Sequence, residues 1–214
     1  MPQLLLLLAV AILAFLLWRN LARQRRLRYL NRFPYQRLLD ARLAARRPEL
    51  SAEQRREVLA GLHDYFLFCL QARRRMVAMP SQAVDDAWHE FILFTRQYDK
   101  FCAHAFGRFL HHTPAEAMAS PTQAGDSLRR AWRLACAHEG IDPKAPDRLP
   151  RLFALDAALG IAGGFVYHLD CLARSHPDGS GFCASHIGCS SGSASDSSDA
   201  GGGDGDGGGG CGGD

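Results

Sequence analysis

An uninterrupted apolar run at the N-terminus constrains this chain more than any other feature. Leu4 to Trp18 is fifteen apolar residues, and Gln3 is the only polar side chain between Met1 and Trp18. As a helix, the first eighteen residues extend about 27 Å, close to the ~30 Å hydrocarbon core of a bilayer. Each large aliphatic residue favours insertion by about 0.3–0.6 kcal/mol. We therefore expect a transmembrane anchor at residues 1–18.

A cleaved signal peptide is the competing interpretation of this run. It is disfavoured because no basic residue precedes the run, and because the small-residue stretch that begins at Ala9 lies inside the run. Four arginines follow between Arg19 and Arg26, and basic residues oppose translocation. The pattern predicts a single-pass protein of the cytoplasmic membrane, with its soluble domain in the cytoplasm.

The next segment, residues 19–48, is rich in arginine. Residues 19–47 carry ten Arg against one Asp, and Pro34 interrupts a helical pattern there. This composition is typical of a solvated juxtamembrane helix that sets topology. It also favours contact with anionic lipid, at about 1 kcal/mol per basic residue near the surface. Membrane lipid is thus the expected partner of residues 1–47. No nucleic acid is expected, because no recognised nucleic-acid module accompanies the charges.

Helix start signals recur through residues 49–189, which we interpret as one helical domain. Ser51 to Gln54 reads as a capping box that opens a helix to about Met79. Ser81 follows Pro80 and is suited to cap a single helix that extends to about Phe106. Further helices are predicted from caps at 113–116 and 120–123, the latter helix ending at Gly140, and at 150–159 and 166–172.

The C-terminal tail, residues 190–214, consists almost entirely of Ser, Gly and Asp, with five Asp and no Lys or Arg. Such a segment buries too little apolar surface to offset its ordering entropy, so it is predicted to be disordered. Few stretches alternate with period two. The fold class predicted is therefore all-α, with an N-terminal transmembrane helix, a helical soluble domain and a disordered Gly-rich C-terminal tail.

One motif within the domain resembles a known family. Between residues 84 and 112 an Asp, a Trp-His pair, a Tyr, a Cys, a Gly and trailing His residues follow in order. This pattern is similar to that of the bacterial members of the glycine-rich domain-containing protein-like family. The resemblance implies an α-helical domain followed by a glycine-rich end, and it implies no enzymatic activity. The motif residues are Asp85, Trp88, His89, Tyr98, Cys102, Gly107, His111 and His112.

The same motif suggests a metal site, independently of the resemblance. Asp85 and His89 are four residues apart, so a helix places them on one face. Further candidate ligands are Cys102, His104, His111 and His112. In a continuous helix His89 and Cys102 would lie about 20 Å apart and could not share an ion. Cys102 would instead meet His111 or His112 if the chain reverses at Gly107, and His89 would need partners from another helix, such as the His63–Asp64 region.

A structural interpretation of the motif stands beside the metal hypothesis. Trp88 is then a core residue, Cys102 a small buried hydrophobe, and Asp85–His89 a packing hydrogen bond. A second candidate ligand set lies near the C-terminus, where an i,i+3 pair and a C-x2-H-x2-C stretch would fill a tetrahedral zinc site. Its residues are His168, Cys171, Cys183, His186 and Cys189. Zinc is accordingly the cofactor that the sequence suggests.

No catalytic residue is assigned, because the sequence contains no G-x-S-x-G, phosphate-loop or H-E-x-x-H motif. An enzyme is therefore not favoured. The seven Cys, an odd number, fit reduced thiols better than a disulfide framework. The function predicted is a membrane-anchored helical binding or scaffolding module with an unidentified protein partner. The alternative is a metal-binding protein or metal-dependent enzyme that uses the His and Cys groups.

Overall fold

The computed structural model describes residues 2–112, 121–169, 182–183 and 187, and helices dominate this part of the chain. The helices are α1 (Pro2–Arg32), α2 (Tyr35–Arg46), α3 (Ala52–Ala72), α4 (Gln82–Ile92), α5 (Thr95–Ala105), α6 (Pro121–Glu139) and α7 (Arg151–Leu159). Two short strands, β1 (Tyr167–His168) and β2 (Phe182–Cys183), pair in parallel. The prediction of a mostly helical protein is confirmed, whereas the helix predicted over 166–172 is wrong at residues 167–168. The predicted disordered tail, 190–214, lies outside the described residues.

Helix α1 has two halves with different surroundings. The side chains of its apolar run are exposed, with Leu4 at 70% and Trp18 at 65%. By length and composition α1 could cross a membrane, and an N-terminal signal sequence shares these properties. Further along the same helix, Leu30 is fully buried, and Leu27 and Tyr29 pack against the core. The apolar run is therefore continuous with a helix that is itself part of the packed domain.

The arginine-rich segment contributes an apolar face to this core. As predicted, the helix breaks at Pro34, and α2 begins at Tyr35. The side chains that face inward are Leu30, Tyr35, Leu39 and Leu43. Two arginines bind carboxylates of neighbouring helices, with Arg47 Nη2 2.6 Å from an Asp86 oxygen and Arg55 Nε 2.9 Å from an Asp40 oxygen. Helix α2 is thus held by packing on one side and by two ion pairs, one in its middle and one just after its C-terminal end.

Helix α3 begins as predicted and ends earlier than predicted. Its capping box is present, with Gln54 N 3.2 Å from Ser51 Oγ and Ser51 N 2.8 Å from Gln54 Oε1. It ends at Ala72, not near Met79, because Arg73 adopts a left-handed backbone at φ 59°. The chain beyond Arg73 makes other hydrogen bonds: Tyr65 Oη of α3 donates to the Val77 carbonyl at 3.0 Å, and Ala78 N donates to the Ser127 carbonyl of α6 at 3.2 Å. Tertiary hydrogen bonds therefore replace the last turns of the expected helix.

The single helix predicted from Ser81 to about Phe106 is two helices. Ser81 caps α4 as expected, with Val84 N 3.3 Å from its Oγ. The chain then breaks at Leu93 and Phe94 before α5. In a continuous helix Phe91 and Phe101 would lie about 15 Å apart along the axis. In the structure their ring centroids are 5.0 Å apart, because the break lets both rings join one aromatic core.

Helices α6 and α7 close the domain on the other side of α3. Ala131, Trp132 and Ala135 are fully buried on α6, which ends before Gly140 as the sequence predicts. The caps predicted at 113–116 and at Ser120 lie outside the described residues. Helix α7 agrees with the prediction for 150–159 and ends at Gly160 in a left-handed conformation, φ 65°.

Candidate metal site

Helix α4 carries the first two residues of the candidate site. Asp85 and His89 lie one turn apart, as their spacing predicts, with His89 Nδ1 3.4 Å from Asp85 Oδ2. The N-terminus of α4 is held by Asp156 of α7, whose carboxylate accepts from Ser81 Oγ at 2.7 Å and from Gln82 N at 2.6 Å. A carboxylate at a helix N-terminus also complements the helix dipole. The position of Asp85 and His89 is therefore set by a contact between distant parts of the chain.

His112 reaches the same point from the segment that follows α5. The chain turns at Gly107, which has a φ of 68°. Tyr98 Oη then donates to the Leu110 carbonyl at 2.6 Å, and Trp88 Nε1 donates to Tyr98 Oη at 3.0 Å. The His112 ring lies edge-on to Trp88, with centroids 4.6 Å apart. The two aromatic residues of the motif thus fix the chain that delivers His112.

The three side chains form a compact group with one carboxylate and two imidazoles. His112 Nε2 lies 2.8 Å from Asp85 Oδ1, and the rings of His89 and His112 have centroids 4.3 Å apart. One ligand atom from each residue lies within 4.8 Å of the other two. Asp85 and His112 are 18% and 14% exposed, whereas His89 is 48% exposed. The group is therefore preformed and open on the His89 side.

A cavity of about 550 Å³ opens in front of this group. Its polar wall contains Asp85, His89 and His112, and three arginines lie in its lining, Arg74, Arg75 and Arg108. Its apolar wall includes Tyr65, Val77, Trp88, Leu110 and Phe165. This combination of an apolar wall with a few convergent polar groups is typical of small-molecule sites.

Cys102, predicted as a candidate ligand, lies elsewhere in the core. It is fully buried next to Tyr98, and burial raises the pKa of its thiol, which keeps it neutral. His111 is exposed and contacts Phe109, with ring centroids 4.8 Å apart, although it also lines the cavity. Among the described residues the structure thus brings Asp85, His89 and His112 together and leaves Cys102, His104 and His111 out of the group.

The second predicted ligand set is described only in part. The parallel pairing of β1 and β2 places the backbone of His168 opposite that of Cys183. Cys171, His186 and Cys189 lie outside the described residues. The expectation that His89 pairs with the His63–Asp64 region is wrong, because His63 Nε2 lies 3.1 Å from Asn31 Oδ1 and Asp64 binds Arg151.

Sequence reasoning missed two residues that shape the site. Asp156, which holds α4, carried a signal, since it is an acidic residue among the buried positions of an apolar helix. Arg108 carried none, because nothing local distinguishes it from the other arginines. Its contribution depends on the turn at Gly107.

Comparison with protein-family models matches residues 25–187 to the family described as UCP032817-like. The matched range begins within α1, beyond the apolar run, and it contains the whole candidate site. Neither the curated proteins nor the solved structures gave a match to this chain. This match does not test the resemblance to the glycine-rich domain-containing protein-like family, which stays a prediction.

Proposed function

We propose that this chain, which belongs to the UCP032817-like family, is a metal-binding module whose Asp85, His89 and His112 hold one divalent transition-metal ion. The observation that carries the proposal is that three ligand atoms lie within 4.8 Å of one another at the wall of a cavity. Two imidazole nitrogens and one carboxylate oxygen suit zinc and ferrous iron.

The spacing of the ligand atoms supports this assignment. Ligands about 2.0–2.1 Å from a tetrahedral zinc ion lie about 3.3 Å apart. His112 Nε2 lies 2.8 Å from Asp85 Oδ1, and His89 Nδ1 lies 3.4 Å from Asp85 Oδ2, so each imidazole is near this spacing from one oxygen of the carboxylate. Small side-chain rotations would bring both rings to one ion. Three protein ligands leave a coordination position for water or another ligand, and that position would face the cavity.

The N-terminal helix supplies the setting that we propose for this module. The apolar half of α1 would anchor the chain in the bacterial inner membrane, with the arginines after Trp18 on the cytoplasmic side. Within residues 1–47, the apolar half of α1 and the exposed arginines that follow it would contact membrane lipid, and the acidic tail would remain available to a protein partner. Because α1 continues without a break into the buried residue Leu30, the domain would be held at a fixed orientation to the bilayer.

Zinc binding by the full chain tests the proposal. The protein is purified in dodecyl maltoside micelles, stripped of metal, and titrated with zinc by calorimetry. We expect one zinc per chain, and a loss of affinity of at least about 100-fold in His89→Ala and in His112→Ala. Removing a residue that only supports a metal ligand weakens binding by about 10–100-fold, so removing a ligand itself should cost at least as much. The matched control is His104→Ala, an exposed histidine whose Nδ1 lies 2.6 Å from the Lys100 carbonyl.

Two results would contradict the metal proposal. One is the absence of stoichiometric binding of zinc or ferrous iron to the stripped full chain. The other is a loss of affinity in His104→Ala as large as in the two site variants. Thermal unfolding of each variant, recorded without metal, separates a lost ligand from a lost fold.

A further inference from the structure

We infer that the cavity binds an organic oxyanion, a carboxylate or phosphate group on an apolar body, with the oxyanion between the metal ion and Arg108. This inference rests on the proposed metal site and names the class of ligand that would occupy its open position. Three observations carry it: the charge of the lining, the fixation of Arg108, and the apolar character of the remaining wall.

The charge of the cavity lining favours an anion. Among the described residues the lining contains three arginines, Arg74, Arg75 and Arg108, and one carboxylate, Asp85. In the proposed site Asp85 is a metal ligand, and the divalent ion adds two positive charges at the same wall. Cavities lined by one sign of charge concentrate ligands of the opposite sign. Guanidinium groups also match the planar geometry of carboxylate and phosphate.

Among the described residues, the partners that hold the Arg108 guanidinium are backbone carbonyls and not carboxylates. Its Nη2 donates to the Arg73 carbonyl at 2.6 Å, and its Nη1 donates to the Phe109 carbonyl at 3.3 Å. Carbonyl oxygens orient a guanidinium without neutralising it, and five N–H donors exceed these two bonds. The Arg73 carbonyl is itself positioned by the left-handed backbone at φ 59°, which a non-glycine residue adopts only under constraint from its surroundings.

The rest of the lining suits an apolar body. Tyr65, Val77, Trp88 and Leu110 are buried side chains that present one continuous wall beside the polar group. A volume of about 550 Å³ lies within the range of small-molecule sites, about 300–1,000 Å³. An inorganic anion alone would leave this wall uncovered. The cavity therefore fits a molecule with one charged end and one apolar end.

Three probes of similar shape test the inference on the zinc-loaded full chain in dodecyl maltoside. Benzoate and phenyl phosphate carry the two kinds of oxyanion, and benzamide is their neutral analogue. By calorimetry we expect at least one anion to bind at least tenfold more tightly than benzamide. The anion that binds more tightly shows whether the site prefers a carboxylate or a phosphate group. We expect the Arg74→Gln, Arg75→Gln double variant and the Arg108→Gln variant each to lose at least fivefold in anion affinity.

Arg148→Gln is the matched control, because this exposed arginine pairs with Asp147 and Glu139 and is not part of the lining. Equal affinities for all three probes, or anion binding unchanged in all the lining variants, would overturn the inference while leaving the metal site intact. Failure of zinc to bind would be seen before any probe is added, and it would remove both proposals. Because Arg74 and Arg75 are exposed, their double variant keeps the test valid if Arg108→Gln fails to fold.

Discussion

Two regions of this protein contain one aspartate and two histidines, and they differ in what surrounds the aspartate. In the first, Asp85 lies with His89 and His112 at the wall of the cavity. In the second, Asp64 of α3 has a His63 nitrogen and a His138 nitrogen each 3.6 Å from its Oδ1. The residue types are the same, so composition cannot distinguish them.

Two features separate these groups, an arginine beside Asp64 and the spacing of the ligand atoms. Arg151 Nη2 lies 2.7 Å from Asp64 Oδ2, and the Asp64 side chain is only 5% exposed. In the described part of the chain the ion-pair partners of Asp85 are its two histidines alone. The Asp64 group also fails to bring its three ligand atoms within 4.8 Å, a spacing that the Asp85 group achieves. Asp64 thus joins helices through Arg151, whereas Asp85 is the aspartate that we propose as a metal ligand.

The largest effect is expected for Arg151→Gln. The change leaves the buried Asp64 carboxylate without its guanidinium, at a cost of about 3 kcal/mol in free energy of unfolding. This corresponds to a fall in Tm of roughly 6–12 °C for a chain of this size. The variant should still bind only one zinc, because the ligand atoms of Asp64, His63 and His138 are too far apart to share an ion. Arg148→Gln, an exposed arginine, should change Tm little. A second zinc in Arg151→Gln would show that the arginine alone separates the two regions.

Asp85→Asn should lose zinc affinity and keep most of its stability, which is the reverse of the result expected for Arg151→Gln. It removes a ligand and is expected to reduce zinc affinity by at least about 100-fold. Its cost in stability should be about 1 kcal/mol, because only the partly exposed hydrogen bond to His112 weakens. Asp99→Asn provides a control on an exposed carboxylate of α5. Zinc titration and thermal unfolding of both variants measure the contrast, and unchanged zinc affinity in Asp85→Asn would contradict it.

Tyr98→Phe tests how the first region is supported. The change leaves Trp88 Nε1 and the Leu110 carbonyl without the hydroxyl that joins them, which costs about 2 kcal/mol. Because Leu110 lies two residues before His112, zinc affinity should fall about tenfold. Tyr35→Phe is the matched control, since Tyr35 Oη is buried without a hydrogen-bond partner among the described residues. Equal losses in stability for both variants would show that the Tyr98 hydroxyl has no supporting role.

The smallest effect on zinc affinity is expected for Cys69, which lines the cavity. Burial raises the pKa of its thiol from 9.0 to about 12, so it should not act as a thiolate ligand. Zinc affinity in Cys69→Ala should therefore stay within about twofold. The unfolded thiol loses its proton first, so this group should lower stability as pH rises from 9.0 to about 12, by up to about 1.4 kcal/mol per pH unit. The difference in Tm between wild type and Cys69→Ala across that range measures it. A large loss of zinc affinity in Cys69→Ala would contradict this prediction and identify Cys69 as a fourth ligand.

Local signals predicted the parts of the fold that depend on neighbouring residues. The break at Pro34, the capping box at Ser51, the cap at Ser81 and the end of α6 before Gly140 all follow from backbone hydrogen bonding within a few residues. The approach of Asp85 and His89 follows from helix spacing in the same way.

Predictions failed where distant residues compete for the backbone or the side chains. Helix α3 ends at Ala72 because Tyr65 and residues of α6 bind the chain beyond it. The long predicted helix divides because Phe91 and Phe101 reach one aromatic core only if the chain bends. The same bend, with the turn at Gly107, brings His112 to Asp85, which no spacing along the sequence indicates.

The amino-acid sequence alone therefore determined the apolar N-terminal helix, the helical class and the positions of most caps, because these depend on hydrophobicity and hydrogen bonds over a few residues. Only the tertiary structure decided which histidines meet which aspartate. That choice depends on helix packing, on the Tyr98 hydroxyl that holds Leu110, and on the guanidinium of Arg151, which pairs with Asp64. Two groups of identical residues thus acquire different chemistry from the charges and the space around them.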